Sequence, residues 1–218
     1  MPGTKNRKHQ TEYMYRFSYY TEEDKAKVIA FMKEVSFATI TGAGEQYPVA
    51  THIPLEVEIK DDKLFLSGHM MRKTDHHLAF EKNENVLVIF NGPHCHISAS
   101  WYTNPVMGST WNYMVVHAKG KMRFKDEAGT YNAVKDITDK YEAPESAAAF
   151  NKLPQEYVDG MVKAIVAFTI EVEVLENVFK LSQNRDKESQ ENIIAQLRKR
   201  GDGNSMGIAD EMEKRITD

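Results

Sequence analysis

The spacing of hydrophobic residues changes several times along this chain, and each change marks an element. Val28, Ile29, Phe31 and Met32 recur at helical spacing and predict a helix over 22–34. Thr21-Glu22-Glu23-Asp24 precede them as an N-cap with acids suited to the positive end of the helix dipole. From residue 36 the period drops to two. Ser36 to Thr41 is a short apolar run and Gly42 to Glu45 a turn. In Tyr47 to Lys60, Val49, Thr51, Ile53, Leu55, Val57 and Ile59 share one face. Pro54 interrupts that run and brings no N–H to a ladder, so an edge or a bulge is expected there. Asp61-Asp62 turns the chain into a further strand, Lys63 to Met71, giving a ladder of antiparallel hairpins.

A short helix is predicted over 74–83, with Asp75 near its start and Leu78 and Phe80 inward. Val86 to Phe90 and His94 to Tyr102 read as two strands parted by Gly92-Pro93. The second has unlike faces: Cys95, Ile97, Ala99 and Trp101 on one, His94, His96, Ser98, Ser100 and Tyr102 on the other. Asn112 to Phe124 alternates as well, with Met114, Val116, Ala118, Gly120, Met122 and Phe124 on one face and Val115, His117, Lys119, Lys121 and Arg123 on the other. A helix over 126–141 carries the stripe Tyr131, Val134, Ile137 and Tyr141, and Pro154 fits the first position of a helix through 163. Ile165 to Leu175 alternates as the last strand, with Val166, Phe168, Ile170, Val172 and Val174 on one face, and the polar segment Phe179 to Arg185 follows. Lys187 to Lys199 is an amphipathic helix through Ile193, Ile194 and Leu197, which Gly201 ends. Residues 1–13 read as a flexible lead-in, with order starting near Met14-Tyr15-Arg16-Phe17, and 202–218 as a loosely held end. Roughly six or seven short strands with helices between them suggest a barrel or sandwich, not a doubly wound sheet.

Composition narrows the class. The 218 residues are 41% hydrophobic and 28% charged, enough for a real core and one domain. The formal net charge of -4 argues against a general nucleic-acid binder. A single cysteine, Cys95, excludes an intrachain disulfide and a Cys-rich zinc site and fits a reducing compartment. No apolar run reaches the roughly 20 residues of a membrane span, and MPGTKNRKHQ has no apolar signal core. A cytoplasmic protein is expected.

Candidate chemistry sits on a few groups. There are eight histidines. His94 and His96 share a strand face, and His52, His69, His76, His77 and His117 are the further candidates. A metal needs three or four converging ligands, usually with carboxylate or thiolate help, and Ile97-Ser98-Ala99-Ser100 supplies none. Hydrogen bonding around a polar pocket is the better reading. Cys95 points away from both neighbouring imidazoles, so it reads as a small hydrophobe and not as a nucleophile. The glycine-rich phosphate and dinucleotide loops and the GxSxG elbow are absent. Arg72-Lys73 ends a strand immediately before Thr74-Asp75, where a guanidinium fork and an ammonium suit a phosphate; a solvated basic pair explains them equally.

An ordered set of short motifs adds to this: Phe37-Ala38-Thr39, Ala50-Thr51-His52-Ile53-Pro54, Gly68-His69, Phe90-Asn91-Gly92-Pro93-His94, Ile97-Ser98-Ala99-Ser100-Trp101-Tyr102, Thr110-Trp111-Asn112-Tyr113, Val116-His117-Ala118 and Lys180-Leu181-Ser182-Gln183-Asn184. In order and spacing over residues 14–200 they resemble the PaiB-type family, known as FMN-binding negative transcriptional regulators. That family lies within the FMN-binding split-barrel (pyridoxamine 5'-phosphate oxidase-like) clan. The resemblance implies a mainly β, α+β fold: an antiparallel split β-barrel with peripheral helices and a C-terminal helical elaboration. It implies a homodimer with FMN at the interface. Arg72 and Lys73 match the pair that holds the phosphate, with Ser67 and His69 on the same strand. Ala50, Thr51 and His52 would follow the isoalloxazine edge. Ser100, Trp101, Tyr102, Trp111 and Asn112 would frame the ring, some from the partner subunit. Lys180, Ser182, Gln183 and Asn184 would close the site. The chain departs from the family pattern at Met71 to Thr74, at His96 and at Ala99.

Three functions follow from the resemblance. One is a flavoprotein redox-active on a small molecule, as a reductase or oxidase. Another is an FMN-linked transcriptional regulator that binds DNA, and a third a flavin or tetrapyrrole binder without turnover. The only basic patch a DNA contact has to draw on is Arg198-Lys199-Arg200, which a solvated helix end explains equally.

Overall fold

The structure, a computed structural model, describes residues 17–217. The expected lead-in and the start at Met14 lie outside the described residues. The helices are α1 (Lys25–Glu34), α2 (Asp75–Lys82), α3 (Glu127–Tyr141), α4 (Gln155–Ala164), α5 (Lys187–Arg200) and α6 (Gly203–Thr217). The strands are β1 (Phe37–Gly42), β2 (Val49–Pro54), β3 (Glu56–Lys60), β4 (Lys63–Met71), β5 (Asn85–Ile97), β6 (Thr110–Phe124) and β7 (Ile165–Lys180). They form one antiparallel sheet in the order β2-β1-β5-β6-β7-β4-β3. Contacts divide the chain into two compact units. The larger holds Asp24–Gly92 and Val115–Leu175; the smaller holds Pro93–Met114, the stretch from Glu176 onward and the stretch ending at Glu23.

In the larger unit, β2 and β3 stand at opposite ends of the strand order although only Leu55 separates them. A one-residue step between two edges requires the sheet to curl until those edges meet. Leu55 is buried, and its N–H bonds the Ser36 carbonyl at 2.9 Å. Gly68 on β4 faces this seam: a Cβ there would lie 3.0 Å from Leu55 and 3.3 Å from Ile53. The curled antiparallel sheet is the expected split barrel. Pro54 ends the edge strand β2, where its missing N–H costs no ladder bond.

Alternation fills the inside. Ile40, Leu66, Val88, Phe90, Val116, Ala118, Ala167, Phe168 and Ile170 are fully buried, and each large side chain among them contributes roughly 1.5–3 kcal/mol. A second apolar cluster joins α3 and α4 through Val134, Phe150, Val158, Val162 and Ile165. In the smaller unit, α5 buries Ile193, Ile194 and Leu197, and α6 buries Ile208, Ala209 and Met212.

Several sequence expectations change. Helix α1 starts at Lys25 because Asp24, not Thr21, is the N-cap; its carboxylate accepts from the Ala26 N–H at 2.9 Å. The two strands expected around Gly92-Pro93 are one strand, β5, and alternation ends at Ile97. Ala99 to Trp101 then form a short 3-10 turn. Tyr102, assigned to the polar face, is buried. Pro154 is the N-cap residue of α4, and β7 runs on to Lys180. Tyr141, counted in the α3 stripe, is 63% exposed, while Thr130 is buried and bonds the Ala167 N–H. The end after Gly201, expected to be loose, is helix α6 with three buried apolar residues.

Candidate functional site

In the larger unit, β4 delivers Arg72 and Lys73 to the start of α2. Arg72 continues the ladder, its N–H bonding the Ala164 carbonyl at 2.9 Å. Its Nε donates to the Ile165 carbonyl at 2.8 Å. The terminal guanidinium nitrogens make no hydrogen bond among the described residues. Lys73 is exposed, forms no ion pair among them, and adopts φ 63°. That left-handed conformation costs a lysine about 1 kcal/mol or more, so neighbouring bonds must hold it. The Thr74 hydroxyl donates to the Met71 carbonyl at 3.2 Å and accepts from the His77 N–H at 3.3 Å. Arg72 and Lys73 therefore offer a fork and an ammonium at one turn, the donor set a dianionic phosphate requires.

Ser67 and His69 lie two residues apart on one face of β4. With Gly68 they form part of a cleft of about 300 Å³ that also meets Phe168, Lys125 and the α3 residues Ala133, Asp136, Ile137 and Lys140. Ser67 Oγ is 3.4 Å from Thr169 Oγ1. Burial holds the His69 imidazole below its ordinary pKa of 6.5. A histidine depressed in the folded state binds its proton more readily when unfolded, so stability falls as pH drops below 6.5. The expected slope from this residue is at most about 1.4 kcal/mol per pH unit. Thermal melts of wild type and His69→Gln between pH 7.5 and 5 check it: the variant's curve should be flatter.

On β2, Ala50 and His52 share the exposed face, and His52 stacks near Phe37 (6.4 Å between ring centres). Thr51 points to the opposite side, paired with Ile40. The three residues assigned to one ring edge thus divide between two faces.

In the smaller unit, the aromatic residues are held by arginines. The Arg185 guanidinium lies 4.4 Å from the centre of the buried Tyr102 ring, and that of Arg200 lies 4.9 Å from Trp101. The Tyr102 hydroxyl is buried without a hydrogen-bond partner among the described residues. Trp111 is 54% exposed between His94 and His96, at 6.4 and 6.1 Å from their rings. Ser100 is exposed and pairs with Ser98 at 2.8 Å.

Other assigned residues are committed internally. Asn112 is fully buried; its Nδ2 donates to Ser182 Oγ at 2.9 Å, and that hydroxyl lies 3.1 Å from Asn112 Oδ1. Ser182 is buried at φ 63°. Gln183 accepts from the Leu181 N–H at 2.7 Å and donates to the Phe179 carbonyl. Lys180 donates to Thr110 Oγ1 at 2.6 Å; burial first, then Arg185, holds its ammonium below the usual lysine range. Asn184 is exposed. Asn112, Ser182 and Gln183 therefore lock the end of β7 and its following turn. Cys95 is buried, which pushes its thiol up to about 11. Thiol reagents at pH 8 should leave it essentially unmodified in the native protein and react in urea, a mass-spectrometric comparison.

Sequence reasoning missed the two arginine–aromatic stacks and the contact of His77 with the Lys73 turn. The second had a signal in the spacing Thr74-x-x-His77, that of a helix cap.

The fold and these groups define a flavin-binding split barrel. The structure is similar to those of the FAD and heme binding protein from Mycobacterium smegmatis (TM-score 0.58, 13% identity, 81% of this chain and 80% of that one). It is likewise similar to a flavocytochrome from Azotobacter vinelandii (TM-score 0.58, 12% identity, 76% and 72%). Residues 14–174 match the family described as "Putative FMN-binding domain". The Bacillus subtilis protein named Protease synthase and sporulation protein PAI 2 is 33% identical over 204 residues, covering 93% of this chain and 98% of that protein. The chain belongs to this PaiB-type FMN-binding family, and its cofactor is FMN. Among the described residues no helix is long and apolar enough to cross a membrane.

Proposed function

We propose that the chain is a flavoprotein that uses FMN to reduce or oxidise a small molecule, with Arg72 and Lys73 holding the cofactor phosphate. One observation carries the reading: at the β4–α2 turn both cations are uncommitted, since the Arg72 terminal nitrogens and the Lys73 ammonium meet no carboxylate among the described residues. When bound, FMN supplies the electron-transfer chemistry, and the protein's part is to bind and orient it. In the larger unit, Ser67 and His69 on β4 and Ala50 and His52 on β2 are the exposed or half-buried groups that fit cofactor contact. A homodimer with FMN at its seam goes with this reading, because Phe37 and Trp111 are 67% and 54% exposed. Light scattering in solution tests the dimer.

The second reading, an FMN-linked regulator that binds DNA, draws on the family resemblance of the sequence motifs and on the Arg198-Lys199-Arg200 cluster. Arg198 pairs with Asp210 at 2.6 Å and Glu213 at 2.7 Å, and Arg200 bonds the His96 carbonyl at 3.1 Å. Two of the three cations are thus spent inside the unit, which favours the redox reading. The deciding experiment combines anaerobic reduction of the FMN-loaded protein by NADH or NADPH with a mobility-shift titration. Flavin bleaching without salt-sensitive DNA binding supports the first reading; the reverse result supports the second.

A further inference from the structure

His77 has no place in the site as described, yet it is built into the turn that carries Arg72 and Lys73. It lies on the first turn of α2, only 4% exposed, with its ring 5.0 Å from that of Phe124. Its Nδ1 accepts from the Lys73 backbone N–H at 3.4 Å. An acceptor at Nδ1 places the single proton of the neutral ring on Nε2. That atom is buried without a hydrogen-bond partner among the described residues and stands 3.6 Å from Glu81 Oε1. The bond from Lys73 matters because Lys73 is a non-glycine residue in the left-handed region, at φ 63°. Its neighbour Thr74 is tied to the same histidine through the His77 N–H. Two bonds to one residue therefore define the turn.

We propose that His77 is a positioning residue for the cofactor phosphate: neutral, it holds the Lys73 turn; protonated, it releases it. The proposal rests on the reading that Arg72 and Lys73 bind the phosphate. A second proton must go to Nδ1, where it meets the Lys73 N–H head-on. Two donors cannot share that line, so the Lys73 bond breaks and the strained turn loses its restraint. The charges around the ring set when this happens. Glu81 and His76 belong to α2 itself, and Arg72 approaches from the turn. β6 contributes the Phe124 ring. β1 and β2, which also pack against α2, carry one titratable residue, His52, on their outward face. Burial is the largest influence and disfavours the charged ring; Glu81 alone opposes it. Release is therefore expected below pH 6.5 and not above.

The test has two arms, run on wild type and His77→Asn from pH 7.5 to 5. Asparagine keeps an acceptor near the Nδ1 position and does not titrate. In the first arm, hydrogen exchange of the cofactor-free protein reads protection of the Lys73 amide. Wild-type protection should fall up to tenfold per pH unit at the acid end, with His77→Asn flat. In the second arm, fluorescence titration gives FMN and riboflavin affinities. The FMN phosphate takes up its own proton near pH 6 in both experiments, so the difference between the proteins is the readout. FMN affinity should fall about tenfold more in wild type, with riboflavin unchanged. Equal Lys73 protection profiles in the two proteins overturn the role of His77. The expected protection profiles without any FMN-specific difference overturn the phosphate reading and the coupling built on it. Should His77→Asn fail to fold, His77→Gln replaces it, and a flat wild-type protection profile alone overturns the proposal.

Discussion

Replacing Arg72 and Lys73 together by alanine is expected to weaken FMN binding by about 3–5 kcal/mol while leaving riboflavin binding within a few-fold of wild type. The estimate comes from charge-assisted hydrogen bonds of roughly 1.5–3 kcal/mol each. The comparison of the two ligands is essential because Arg72 also has a structural bond. Its Nε donates to the Ile165 carbonyl, the first residue of β7. Losing that bond lowers stability by about 1 kcal/mol whatever ligand is present. A phosphate contact shows only in the FMN-to-riboflavin ratio. If both affinities fall together, the variant has damaged the barrel and the phosphate lies elsewhere.

The second large effect is expected at Gly120. It sits in β6, fully enclosed, where an added Cβ would stand 2.2 Å from the Glu171 carbonyl oxygen on β7. Real Cβ atoms do not approach a backbone oxygen so closely, and the obstacle is a strand, not a flexible side-chain tip. Gly120→Ala must push β6 and β7 apart or fail to fold. Overpacking of well-packed cores typically costs roughly 1–3 kcal/mol and sometimes more; a backbone collision belongs at the upper end. Chemical denaturation should show a loss of at least about 3 kcal/mol, or no soluble protein at all. Gly108 is the control: nothing lies within 4 Å of its Cβ position, and Gly108→Ala should be neutral.

Where the fold was legible, one physical signal carried it. Period-two alternation in β6 placed buried and exposed residues correctly, because that strand has a core face and an outward one, whereas β7 starts with four consecutive buried residues, Ile165 to Phe168, and leaves Val174 exposed. Where it failed, tertiary context overrode local chemistry. Gly92-Pro93 has the composition of a turn, yet β5 passes straight through, paired along its earlier length with β1. Helix α6 hid behind polar composition: Ile208, Ala209 and Met212 are few, but their spacing puts them on one buried face. The candidate site divides in the same way. Arg72 and Lys73 were readable as a strand-end pair. Asn112 and Ser182, 70 residues apart, bond each other, a pairing that their separate motifs did not show. A sequence shows hydrogen-bonding capacity; it does not show which capacity is already used.

The strand order has a consequence on the ribosome. The edge formed by β4 waits for β7, and its partner residues are far off: Ser67 meets Thr169, 102 residues later. At common synthesis rates that interval lasts roughly 5–20 s. Throughout it, β4 with its hairpin partner β3 has an open side able to pair with the same strand of another nascent chain. β1, β2 and β5 face no such delay, since their partners emerge within a few dozen residues. A chain truncated just before Ile165 should therefore collect as aggregate and not as a smaller barrel. Yield of the intact protein should respond more to the speed of translation and to chaperone supply than to its final stability.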